Sequence, residues 1–162
     1  QPEQSSRTMK QVFDRAQKTP GSIVVLDGGA NRDAIDEGLA KRSDLVIIPV
    51  ADGPEDLEVG ADDRQHIEEL LKGQVPVRIL LNRWPGRKAE LEPFLKDEYV
   101  VDFMARTEGL RLATMVPRLR SAKALLDHSN PESGPNVRKV GRQLLDEVAG
   151  LLGIPAEHTV SP

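Results

Sequence analysis

The stretch SIVVLDGGAN, Ser22 to Asn31, decides how the fold is read. Ile23 to Leu26 form a short, β-branched apolar run, the pattern of a strand covered on both faces. Asp27 stands where that run stops, and Gly28 and Gly29 allow the backbone to turn sharply or to approach a ligand closely. Two explanations are open for the carboxylate. It caps the helix starting near Asp33, or merely its turn. Alternatively it lies at the carboxyl edge of a parallel sheet, where it could hold Mg²⁺, directly or through water, beside the phosphates of a nucleotide.

The pattern around this stretch alternates. Upstream, Met9, Val12, Phe13 and Ala16 fall at helical spacing within residues 5–18, and Pro20-Gly21 stops that helix. Downstream, Asp33 to Lys41 reads as a short helix and DLVIIPV (Asp44–Val50) as a second buried strand. Pro54 suits the first turn of a long acidic helix that reaches about Lys72 and stops at Gly73. VPVRILLN (Val75–Asn82) is a third strand, broken by Trp84-Pro85-Gly86. A helix follows through Lys88–Lys96, despite Pro93, and Tyr99 to Phe103 reads as a fourth strand or a loop. LRLATMV (Leu110–Val116) is a further strand ending at Pro117, and residues 119–128 are a helix with Leu119, Ala122, Leu125 and Leu126 on one side. A final helix over Val137–Leu152 carries the stripe Val140, Leu144, Leu145, Val148, Leu151 and Leu152. Strands alternating with helices predict an α/β fold with a mostly parallel sheet and helices on both faces. One domain is expected over residues 1–152, with 153–162 as a frayed tail.

Composition narrows the function classes. The 162 residues suit a single domain with a substantial core, and 38% hydrophobic with 30% charged residues fits a soluble globular protein. No apolar run approaches the ~20 residues of a membrane span. The absence of cysteine excludes disulfides and thiolate metal ligands. The three histidines, His66, His128 and His158, do not cluster, and no G-x-S-x-G elbow supports serine catalysis. Net charge is −4, but it is unevenly spread. Asp27 to Glu69 holds 13 acidic and 4 basic side chains, whereas Arg111 to Arg142 holds 7 basic and 2 acidic ones, so a local positive face is expected on an acidic molecule. The first residue is Gln1 rather than Met, and the sequence is therefore expected to be processed or part of a longer gene product.

In parallel α/β sheets ligands bind beyond the carboxyl ends of the strands. That rule singles out Asp27, Asn82 and Pro117. The Asn82 amide can offer both a donor and an acceptor to a base edge, although Asn also commonly ends strands. The segment Met115–Arg118 could line the same pocket, and Trp84 could stack on a base or pack in the core or at a sheet edge.

The order of these elements, with VVLDGG, SDLVIIPV, VRILLNR and MVPRLRSAKAL in sequence, resembles the ParA/MinD family of deviant-Walker ATPases from about Met9 to Leu152. The resemblance implies a P-loop NTPase-like fold, with Asp27 as the Walker B aspartate that serves Mg²⁺. It also implies that Asn82 recognises adenine and that Pro117 and Arg118 line the base site. The implied function is DNA segregation, in which an ATP-bridged homodimer coats DNA non-specifically and a ParB-like partner stimulates hydrolysis, in the cytoplasm at the nucleoid. Arg111, Arg120, Lys123, Arg138, Lys139 and Arg142 are then the candidates for DNA phosphates. One departure is large. The phosphate-binding glycine loop with its lysine is absent, and no G-K-[ST] occurs anywhere. The expectation is that the N-terminal phosphate-loop unit and the catalytic residues lie upstream of Gln1, and that this chain alone binds ATP weakly without turning it over. The turn DGGA also departs from the proline-containing turn usual in the family. Two alternatives are a MinD-like positioning ATPase, against which the short, acidic, proline-broken end GIPAEHTVSP speaks, and a non-catalytic interaction module acting in conjugation, mobilisation or regulation.

Overall fold

A computed structural model describes residues 22–28, 34–118 and 134–154, and in addition Gln11, Phe13, Asp14 and Lys18. The elements in chain order are α1 (Ala34–Ala40), β1 (Val46–Val50), α2 (Pro54–Leu71), β2 (Val77–Trp84), α3 (Lys88–Phe94), α4 (Glu98–Arg106), β3 (Val116–Pro117) and α5 (Gly134–Leu151). The three strands form one open sheet in the order β1-β2-β3, and both pairings are parallel. The protein is therefore an α/β fold built on a small parallel sheet.

Register follows from the apolar pattern. Val46, Ile48 and Val50 align with Val77, Ile79 and Leu81, and along β2 buried residues alternate with half-buried ones from Val77 to Asn82. Sequential strand order with the usual right-handed crossovers sets the intervening helices on one face. Indeed α2 packs on β1 and β2, and α4 packs on α2, so these helices cover one face of the sheet, where helices on both faces were expected. The core that results contains Val50, Leu57, Ala61, Ile79, Leu81, Trp84, Val100 and Phe103, with Ile48, Phe94, Met104 and Met115 against it. An Arg106–Asp62 ion pair at 2.7 Å spans the α2–α4 contact at the surface.

Pro49 lies within β1 yet is tolerated, and the hydrogen bonding explains why. Val46 N–H donates to Pro76 O at 3.0 Å, so Val46, Ile48 and Val50 direct their backbone groups at β2. Pro49, one residue out of phase, directs its missing N–H at the other edge, where no described strand pairs.

Several expectations are met. Helix α2 starts at Pro54 and ends with Lys72 and Gly73 in the left-handed region, at φ 51° and 71°. Strand β2 stops at Trp84, where Pro85 follows and cannot donate to a ladder. Others are corrected. Residues 22–28 form no strand, and Val25 is 86% exposed, so the opening apolar run is not a covered strand. A four-residue run gains strand geometry only from a neighbour that completes its ladder, and no described strand pairs with this one. Tyr99–Phe103 is helical, as part of α4. Its aromatic and β-branched composition favours a strand, but Val100 and Phe103 are buried three residues apart and Thr107 continues the same side, which is helical spacing. The strand expected over Leu110–Val116 is broken into a bridge at Arg111 and the two residues of β3. The expected helix over 119–128 lies outside the described residues, as does most of the helix over 5–18.

Candidate functional site: the carboxyl rim of the sheet

The carboxyl ends of all three strands meet at one rim. Asn82 aligns with Val116 and Trp84 with Pro117, so β2 spends two residues against one of β3, and Arg83 is the extra residue of this bulge. Arg83 has φ 62°, an uncommon left-handed conformation for a non-glycine residue. The turn it makes aims its carbonyl at Arg118, whose Nε donates to it at 3.1 Å. The Arg118 N–H donates to Trp84 O at 2.9 Å. Its guanidinium also pairs with the largely buried Asp52 carboxylate, which follows β1. Three loops that are far apart in sequence are thereby tied together. Because Arg118 is itself about 60% exposed, the pair serves geometry more than stability.

Of the residues singled out from sequence, Asn82, Pro117 and Arg118 are brought together here. Asn82 is half-buried, and no side-chain hydrogen bond among the described residues engages its amide. Met115 is half-buried and packs against the core. Trp84 is core as well: it is 1% exposed, its Nε1 donates to Val50 O at 3.2 Å, and Phe94 meets it edge-on at 5.1 Å. Asp27 is exposed, and no hydrogen bond or ion pair among the described residues joins it to Asn82, Pro117 or Arg118. Among the described residues no group of three or more His, Asp or Glu side chains is gathered to hold a metal ion.

Gly86 controls how closely the loop after β2 covers the rim, since a Cβ there would lie 2.8 Å from Pro117 Cβ. Gly86→Ala is expected to displace Pro117 and to lower stability by about 1–2 kcal/mol, at the low end of overpacking costs. A shift of the urea midpoint checks this, and an unchanged midpoint would contradict it.

The basic candidates divide. Arg111 is half-buried, with Nη1 donating to Met104 O at 2.6 Å and to Thr107 Oγ1 at 2.5 Å. Burial pushes its pKa down, while nearby Glu108 pulls it the other way. This guanidinium holds the end of α4, and its Nη1 is not available to an outside phosphate. Arg138, Lys139 and Arg142 are exposed on the first half of α5. Arg120 and Lys123 lie outside the described residues.

Helix α5 is fastened where β3 is interrupted. The two oxygens of Glu147 accept the N–H groups of Ala113 at 2.6 Å and Thr114 at 2.8 Å. Burial would raise the Glu147 pKa, but hydrogen bonds from Thr114 and the Ala113 amide outweigh it and hold the carboxyl below its ordinary range. A depressed folded-state pKa means that the contact is present at neutral pH and is lost only as the pH falls through that lowered value.

Asp52, Arg83, Gly86 and Glu147 escaped the reading of strand ends. Asp52 had a usable signal, because Asp52-Gly53 ends an apolar run just as Asp27-Gly28 does. These features define an open parallel α/β sheet with a cross-linked carboxyl rim and a basic C-terminal helix. Comparison with family models, with curated proteins and with solved structures finds no match to this chain. No helix among the described residues is long and apolar enough to cross a membrane.

Proposed function

We propose that the chain is a ParA-type partition ATPase, or the C-terminal portion of one, which serves DNA segregation through an ATP-bridged dimer and non-specific DNA binding. The observation that carries the reading is the convergence of Asn82, Pro117 and Arg118 on one rim of a parallel sheet, the position where such folds bind nucleotides. Asn82 would read the base edge, while Pro117 and Arg118 would bound the pocket. The fit to the rest of a nucleotide is poor. One exposed carboxylate, Asp27, is all that the expected metal position offers, and the sequence has no lysine-bearing glycine loop to cradle phosphates. The reading therefore assigns base recognition to this chain and leaves the chemistry of hydrolysis to residues it does not contain. On the same reading Arg138, Lys139 and Arg142 face DNA phosphates, with a ParB-like protein as partner at the nucleoid.

The absence of a phosphate loop favours a second reading, an interaction module that keeps the sheet but not the catalysis. DNA binding separates the two. Anisotropy of a random-sequence duplex titrated with this chain in the presence of Mg-ATP is expected to give an affinity that falls with salt, by about 0.9 log units per log unit of salt for each phosphate neutralised. The double variant Arg138→Glu, Arg142→Glu should reduce that slope by about two contacts. Binding without a salt slope, or a slope untouched by the double variant, would set the partition reading aside in favour of the interaction module.

A further inference from the structure

The segment 111–118 runs from the bridge at Ile79 to the rim, and its middle leaves the sheet. At the start, Ile79 N–H donates to Leu110 O and Leu112 N–H donates to Ile79 O. At the end, Val116 and Pro117 pair with β2 and the Arg118 N–H reaches Trp84 O. Between these points the Ala113 and Thr114 amides have no ladder partner in β2, and a single carboxylate on α5 accepts both. The match is chemically specific: two adjacent N–H donors need two acceptors, and Glu147 supplies one oxygen to each.

We propose that Glu147 is a positioning residue for the rim, its carboxylate fixing the turn at Ala113-Thr114 so that Pro117 and Arg118 are presented beside Asn82. As far as it concerns a bound nucleotide, the inference rests on the function proposed above. Two further observations support a positional role. Strand β3 has only two residues and cannot hold its own place by ladder bonds alone. The Arg118–Asp52 pair at the far end is too solvent-exposed to anchor the segment by itself. Glu147 is thus the third point that fixes a strap otherwise pinned only at its ends. Because it sits on the helix that bears Arg138, Lys139 and Arg142, it also joins the basic surface to the rim.

Glu147→Gln is the decisive substitution. The side chain keeps its size but offers one acceptor and one NH₂ donor, and that donor would face a backbone N–H. Hydrogen exchange read residue by residue is expected to accelerate at Ala113, Thr114 and Arg118 by about tenfold or more, the scale of a lost hydrogen bond to a charged group. Exchange at Ile48 and Leu81 in the core should stay as in the parent. Glu147→Asp keeps a carboxylate with shorter reach, and it should fall between the parent and the Gln variant. An Arg118 amide that exchanges at the parental rate in Glu147→Gln would overturn the proposal. Acceleration throughout the sheet would overturn it too, since Glu147 would then be a general support of the fold. Mg-ATP supplies a separate arm. It should slow exchange at Asn82 and Arg118 of the parent, and Glu147→Gln should need about tenfold more of it for the same effect. A parent that does not respond to Mg-ATP would remove the nucleotide reading, and the positioning role would then stand or fall on Arg118 exchange alone.

Discussion

Trp84→Ala is expected to destabilise the protein by about 3–5 kcal/mol, the range for truncating a large buried aromatic. Typical domains are stable by only about 5–15 kcal/mol, so the variant should be partly unfolded at room temperature or nearly so. Three contacts set this cost. The ring is 1% exposed, it meets Phe94 edge-on and Phe103 at a tilt, and its Nε1 donates to Val50 O of the neighbouring strand. The substitution would therefore open a cavity between β2, α3 and α4 and remove a link between β1 and β2. Circular dichroism in urea is the suitable measurement, because Trp84 is the only tryptophan and fluorescence would disappear with it. Trp84→Phe, which keeps a ring but no donor, should cost less. A loss below about 1 kcal/mol for the Ala variant would mean that the ring does not sit in the core.

The second large effect concerns Gly60, in the middle of α2. Gly to Ala in a helix interior ordinarily stabilises by up to about 1 kcal/mol. Here a Cβ would stand 2.4 Å from Val50 Cγ2 and 2.9 Å from Cγ1. Val50 is 2% exposed and β-branched, held in the strand on which α2 packs, so it has little room to give. Overpacking of this kind costs about 1–3 kcal/mol and should outweigh the propensity gain. Gly60→Ala is thus expected to lower the urea midpoint. The same change at Gly141 in α5, whose Cβ would meet nothing within 4 Å, should leave it unchanged or raise it. Equal effects at the two sites would refute the close approach of α2 to β1.

What could be read in advance follows the range of the forces involved. The ends of α2 were legible because they are local: Pro54 suits a first turn, and Gly73 tolerates positive φ. Strand β1 was legible as an apolar run. The Tyr99–Phe103 segment misled because its composition argues for a strand while the burial of Val100 and Phe103 argues for a helix, and packing decided. The Ile23–Leu26 run misled for the opposite reason: its propensity is good, but strand geometry also needs a neighbouring strand, and no described strand pairs with it. At the rim, strand-end logic found Asn82 and Pro117, whereas the left-handed turn at Arg83 leaves no mark in the sequence. Glu147 could not be foreseen at all, since the amides it accepts lie 33 and 34 residues earlier.

Pro49 bears on how copies of this chain would meet. The outward side of β1 carries the N–H and C=O of Ile47 but only the C=O of Pro49. A second chain docking there could donate to both carbonyls, yet it would find one donor missing, at Pro49. Templated stacking, in which each layer must offer the next a full complement of donors and acceptors, would stall at that residue. The one imino acid in the strand would thus act as a fuse against fibre growth from the edge of β1 that no described strand pairs with.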